Sequence, residues 1–352
     1  MKVRDHQREP LRRDLLLGLI LLAMVMVIIG FRFITISISS ALLLLSFVVL
    51  VLLLGPYILS ANPTLLKVIR TMIQGRARVW WYVPLAIYVV ALLYILLAGL
   101  FTAKLLLLSS FYVLLPVLVF IAAQKQNKPF GVLDGVVVLL LWLPIELGVL
   151  AAASLPPRQG LVSVFELVGL LMLIYFYIVL RELPNVGLSY RLKFKEVQLA
   201  IQYCVLFLIP ALILGMPTQF IKVSHHVPGL LDMAGRFLAI GFFIALPEEI
   251  LFRGIIQNAL EMTWQKEPDG QRKALVVASI IFGLAHANNH NPPFINIPLG
   301  PLGVWHFPWV YVVLATLAGV AYGWTFIKTR KVTAAALVHL LVDWVWSVFF
   351  SG

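Results

Sequence analysis

Charge is scarce in this 352-residue chain: Asp, Glu, Lys and Arg make up 12% of it, about half the share in an ordinary soluble domain. Acids are scarcer still, 15 against 27 Lys and Arg. So few charges could not cover the surface of a soluble globule of this length. The low hydrophobicity that disorder requires is missing as well, because 62% of the residues are hydrophobic. Cysteine is nearly absent: Cys204 stands alone, which excludes an intrachain disulfide, and its apolar run suggests a small buried thiol. What is present is long apolar runs. The composition is that of a polytopic membrane protein.

A net charge of +12 would suit a nucleic-acid partner, so the location of the basic residues decides. A crossing helix needs about 20 apolar residues. Eleven candidates emerge, at 15–31, 38–60, 79–101, 105–123, 132–153, 161–180, 198–215, 230–261, 273–287, 309–327 and 332–350. The first follows a basic head, as a signal peptide would, but Arg32 and a second apolar run come directly after it. An uncleaved span is expected there.

The connections then alternate in charge. One set of sides holds 21 of the 27 basic residues, including Lys2, Arg4, Arg8, Arg12 and Arg13 in the tail. It also holds Lys67, Arg70, Arg76 and Arg78 after the second span, and Lys328, Arg330 and Lys331 before the last. The other set holds 4, and Arg236 and Arg253 lie within a span. This alternation predicts an all-α bundle of eleven spans with a cytoplasmic N-terminus and an outside C-terminus. It also removes the motive for a nucleic-acid partner. No internal repeat is evident. The most polar interior stretch, Arg181 to Gln202, divides the chain into 1–195, about six spans, and 196–352, about five. Lys193, Lys195 and Glu196 alternate there with apolar residues, as in a short interfacial helix.

Ionisable residues inside spans are costly, about 2.5–3.5 kcal/mol each on insertion scales, and mark functional sites by default. In the leading region these are Asp134, Glu146 and Glu166, each isolated within its helix. An interhelical hydrogen bond or a loop-edge position accounts for each of them. The trailing region is denser. Glu248, Glu249 and Arg253 share the eighth span, Phe282 and His286 the ninth, His339 and Asp343 the eleventh.

Glu249 and Arg253 are four apart on one helical face, so they can form an ion pair and serve as scaffold. Glu248 lies about 140° round from Arg253 and has no local cation, which leaves it as the carboxylate available to take a proton. Asp343, four residues after His339, can orient its imidazole. Taken singly, each set has an ordinary structural explanation: a helix-stabilising pair, a satisfied core histidine, an interhelical clamp. All three together are harder to explain so. His290 and His306 fall in a Pro- and Asn-rich outer loop and read as loop residues. His225 and His226, in another outer loop, are weak evidence for a metal.

Glu248-Glu249-x-x-x-Arg253, Phe282-x-x-x-His286 and His339-x-x-x-Asp343, in that order on hydrophobic helices, resemble the three motifs of the CPBP family. These are the CAAX-protease and bacteriocin-processing (Abi) intramembrane endopeptidases, which include the type II CAAX prenyl proteases. Gly319 and the basic turn from Lys328 to Lys331 are also similar to that family's approach to its last motif. The likeness covers roughly 196–352 and leaves the six leading spans outside. It implies peptide-bond hydrolysis in the membrane, with Glu248 and His286 activating water and His339 and residue 343 stabilising the oxyanion. The CAAX proteases of the family typically carry Asn where this chain has Asp343. An ionised Asp only accepts hydrogen bonds, so Asp343 is expected to orient His339 and leave the imidazole as donor.

Glu248, His286 and His339 also form an O,N,N set that suits zinc, with Asp343 as a fourth ligand or behind one. The His-Glu-x-x-His spacing of many zinc proteases is absent, and no cofactor is expected, with zinc as the alternative. The leading expectation is a glutamic-type intramembrane endopeptidase in a multi-pass membrane location, the plasma membrane in a bacterium. Its partners would be the bilayer and a peptide or protein substrate, such as a C-terminal or membrane-associated segment, reaching a site between midplane and cytoplasmic face laterally or from the cytoplasmic side. Two other classes compete. One is a non-catalytic immunity or scaffolding protein of the same fold. The other is a transporter with a proton path through Asp134, Glu146 and Glu166.

Overall fold

The computed structural model describes residues 5–73, 81–126, 128 and 130–351. Lys2, Arg4, Arg76 and Arg78 of the charge count, the side chain of Arg8 and the start of the span read at 79 lie outside the described residues. The protein is an all-α, integral, multi-pass membrane protein. Seven helices among the described residues are long and apolar enough to cross a membrane, judged by length and composition. The helices Tyr82–Leu97 and Val164–Leu180 are apolar but shorter. The chain packs as two compact units, Met1–Leu183 and Pro184–Gly352.

The first unit comprises α1 (Asp5–Ile34), α2 (Ser40–Leu59), α3 (Pro63–Ile73), α4 (Tyr82–Leu97), α5 (Ala103–Gln124), α6 (Val132–Glu146) and α7 (Val164–Leu173). A two-stranded ribbon, β1 (Ser154–Leu155) with β2 (Val162–Ser163), precedes α7, which continues as a π-helix over Ile174–Leu180. Polar residues mark where these apolar helices begin. The side chains of Ser39, Thr102 and Ser163 accept from the amides of Leu42, Leu105 and Glu166, satisfying donors that have no intrahelical partner.

Asp134, isolated in its own helix, is not isolated in space. Its carboxylate accepts from the Gly131 amide at 2.8 Å and from Arg181 Nε and Nη2 at 3.1 and 3.0 Å. Arg181 also donates to the Ala123 carbonyl, and Tyr177 donates to the Asp134 carbonyl. This buried pair clamps α5 and α6 to the end of α7. Glu166 lies in the first turn of α7 and Glu146 at the last residue of α6.

In the second unit, α8 (Phe194–Gly215) starts at the stretch read as an interfacial helix. That stretch is instead the first turn of a long helix: Glu196 Oε2 accepts from the Lys193 amide at 2.7 Å and from Lys331 Nζ at 2.8 Å. A short strand β3 (Lys222–Val223) follows, and then a continuous 34-residue helical run, Leu230–Thr263. That run alternates α9 (Leu230–Ile240), a π-turn (Gly241–Ala245), α10 (Leu246–Glu249), a second π-segment (Ile250–Gln257) and α11 (Asn258–Thr263). The helix α12 (Gly270–Ala285) leads into a hairpin of β4 (Ile295–Pro298) and β5 (Val304–Phe307), where the sequence suggested only loop. The unit ends with α13 (Trp309–Thr329), α14 (Val332–Phe349) and β6 (Phe350–Ser351), which pairs with β3.

Small residues set how closely these helices approach, as in membrane bundles generally. A Cβ on Gly319 would stand 3.1 Å from Ser279 Cα and 3.3 Å from Arg253 Nη2. A Cβ on Gly283 would stand 2.7 Å from the Val312 carbonyl. The closeness lets side chains from the run reach backbone across the gap. Arg253 Nη2 donates to the Gly319 carbonyl at 3.0 Å, and Gln257 Nε2 to the Gly323 carbonyl at 3.2 Å. Arg253 and Gln257 are one turn apart, as are Gly319 and Gly323, so one helix is stitched to the other twice.

Candidate active site

A cavity of about 390 Å³ lies within the second unit, and Glu248, His286, His339 and Asp343 all line it. They come from the π-interrupted run, α12 and α14. The structure brings all four together, while His225, His226, His290 and His306 are not among the lining residues. His306 instead pairs with Asn296 across the hairpin, Nδ1 to Oδ1 at 2.7 Å.

The two adjacent glutamates sit in opposite environments. Glu249 is fully buried, and its Oε1 receives Arg253 Nη1 at 3.0 Å and faces His339 Nδ1 at 3.0 Å. The side chain of Glu248 is 33% exposed and its Oε2 is 3.9 Å from His339 Nε2. Consecutive residues on a helix point about 100° apart. Hence one carboxylate faces the helix packing and the other the cavity. The π-segment that begins at Ile250 widens the helix immediately after this pair, a distortion common at functional sites.

His339 is held from both sides. Its Nδ1 faces Glu249, and its Nε2 lies 3.3 Å from Asp343 Oδ2. Asp343 was expected to be the residue orienting this ring. Glu249, placed 90 positions earlier, is the closer and more buried partner. The ring also stacks on Tyr322, centroids 4.6 Å apart at 16°, and meets the edge of Phe282 at 5.8 Å.

Arg253 is the cation behind the site. Its side chain is 1% exposed, and a buried charge is tolerated only when paired and hydrogen-bonded. Besides Glu249 and the Gly319 carbonyl, it lies over Phe282 at 4.4 Å and Tyr322 at 5.2 Å. Desolvated cation–π contacts of this kind contribute about 2 kcal/mol. The same two rings also pack on His339, so the guanidinium positions the histidine through them.

His286 follows the last residue of α12, where carbonyls run out of intrahelical partners. Its Nδ1 lies 2.8 Å from the Phe282 carbonyl oxygen. A carbonyl only accepts, so Nδ1 carries the proton, and when the ring is neutral Nε2 is its acceptor nitrogen. The ring packs between Phe282 at 4.8 Å and Tyr311 at 5.1 Å.

Tyr311, Tyr322 and Asn291 line the cavity without having been singled out in the sequence. A signal for the tyrosines exists: Tyr311, Ala315, Ala318 and Tyr322 recur at helical spacing and all face the cavity. Asn291 carries no such pattern. Among the described residues no group of three His, Cys, Asp or Glu side chains is placed to hold one metal ion. Glu248, His286 and His339, the set considered for zinc, are no exception. His339 has a carboxylate near each ring nitrogen, Glu249 at Nδ1 and Asp343 at Nε2.

Residues 231–345 match the family model of the type II CAAX prenyl endopeptidases, Rce1-like. The match begins in α9, ends in α14 and contains all three motifs. It is consistent with a CPBP relationship and supports intramembrane protease activity of that general class. No curated protein and no solved structure matches the chain.

Proposed function

We propose that the second unit is an intramembrane endopeptidase that hydrolyses peptide bonds by general-base catalysis at Glu248. The observation that carries this reading is the separation of roles between the two glutamates: Glu249 is spent on Arg253 and His339, while Glu248 faces a cavity that also holds His286. Water between Glu248 and His286 Nε2 donates to both acceptors. Glu248 takes its proton as the oxygen attacks the scissile carbonyl carbon. His339, with Glu249 and Asp343 fixing its ring, donates from Nε2 to the oxyanion. Collapse breaks the C–N bond, and Glu248 returns the proton to the leaving amine. Removing an oxyanion donor costs about 10²–10³ in kcat in well-studied hydrolases.

The mechanism needs no metal. The match to CAAX prenyl endopeptidases favours a substrate segment near a chain terminus or a membrane surface. The test is cleavage by the purified full-length protein in H₂¹⁸O, with new termini read by mass spectrometry. One ¹⁸O in each new carboxylate and an unchanged rate after a strong chelator are expected. A rate that falls to background with chelator and returns with zinc would overturn the metal-free mechanism.

A further inference from the structure

The cavity that holds Glu248 and His339 extends in one direction only. On α14 its lining runs from His339 to Ser347, and on α13 from Tyr311 to Tyr322, whose chain direction is opposite. Phe220, Asn291 and Phe350, at that same end, also line it, with Phe207 and Leu212 of α8. From His339 to the end of α14 is about 15 Å of helix at 1.5 Å per residue. Glu248 sits beside His339 at the bottom of this shaft and Asp343 one turn above it, each about one-third exposed.

The opposite end of the second unit is sealed. Val332, Ala334, Ala335 and Val338, the first two turns of α14, are fully buried. The segment leading into α8 lies across them as a strap. Its Val186 carbonyl accepts from the Val332 amide at 3.0 Å, its Ser189 carbonyl from Thr333 Oγ1 at 2.6 Å, and its Arg191 carbonyl from Lys331 Nζ at 2.8 Å. Asn258 Nδ2 ties down the Pro184 carbonyl at 2.6 Å.

Charge gives the two ends a direction across the membrane. Arg191, Lys193, Lys195, Lys266, Arg272, Lys273, Lys328, Arg330 and Lys331 all flank helix ends on the strapped side. The open side has Lys222 and Arg236, and Arg236 is paired with Asp232 at 3.0 Å. Basic residues stay cytoplasmic.

Building on the endopeptidase reading, we infer that the substrate reaches Glu248 from the extracytoplasmic side, so that the peptide cut belongs to an extracytoplasmic or outer-leaflet segment. Access from the cytoplasm, expected from the sequence, would have to pass the strap and the packed start of α14.

Site-specific labelling tests this without reference to activity. In the full chain carrying Cys204→Ala, single cysteines are introduced as Ser347→Cys and Asn291→Cys at the open end and as Lys266→Cys at the strapped end. Intact bacterial cells expressing each variant are treated with a membrane-impermeant sulfonated maleimide before or after permeabilisation. Ser347→Cys and Asn291→Cys should label fully in intact cells, and Lys266→Cys only after permeabilisation. The reverse pattern, or no labelling of Ser347→Cys in either state, overturns the inference. Loss of the protease reading itself would appear separately, as full cleavage by a Glu248→Gln protein, and would leave the labelling pattern unchanged.

Discussion

Arg253 shows how a single charge can govern a site it does not touch. Its guanidinium holds Glu249, and Glu249 holds His339 Nδ1, while the rings beneath the guanidinium pack against the same imidazole. Replacing it by Met takes the arginine from the buried Glu249 carboxylate and leaves it only His339 as partner, a loss of about 3–5 kcal/mol for a broken buried pair. Arg253→Met should therefore lower the thermal unfolding midpoint in detergent markedly. A midpoint equal to the wild type would mean that the pair is not structural. At this scale the sequence spoke clearly about neighbours on one helix: Glu249 with Arg253, His339 with Asp343, Phe282 with His286. It was silent on partners far apart in the chain. Nothing local indicates that Asp134 meets Arg181, or that Glu249 rather than Asp343 is the nearer support of His339, because both contacts are created by helix packing.

Among the elements, the pairing of α12 with α13 depends on residues that have almost no side chain. Gly283 lies against Thr316 and Gly319 against Ser279, and Gly319 also leaves room for Arg253 to reach its carbonyl. Val at 319 would force α12 from α13 and displace the guanidinium, a combination of overpacking, about 1–3 kcal/mol, with damage to the buried pair. Gly319→Val should unfold at lower temperature and cleave more slowly than Gly319→Ala, which demands a shift of only a few tenths of an ångström. Equal behaviour of the two variants would argue against close packing here. Apolar runs announce spans because lipid demands some 20 apolar residues in succession. The π-segments at 241–245 and 250–257 leave no such mark, since their composition is that of the surrounding helix. The β4–β5 hairpin was hidden by the Pro and Asn residues around it, which read as loop.

For the whole molecule, the distribution of Lys and Arg carries more information than their number. The alternation of 21 against 4 across the connections predicts a cytoplasmic N-terminus and an outside C-terminus. A C-terminal alkaline phosphatase fusion should be active and a C-terminal green fluorescent protein fusion dark in the same bacterial host. The opposite pair of results would contradict the span count. The family match lies entirely in the second unit, which is also where the three motifs and the cavity lie. The first unit has its own buried ion pair at Asp134 and Arg181, which clamps helices together.

Glu248 carries the central claim, and its amide is nearly isosteric but cannot take a proton. Cleavage of one peptide should be timed with purified wild-type and Glu248→Gln proteins whose unfolding midpoints have been matched. A fall of about 10²–10⁴-fold in rate, with the midpoint unchanged, is the expected result. Full-rate cleavage by Glu248→Gln would contradict it.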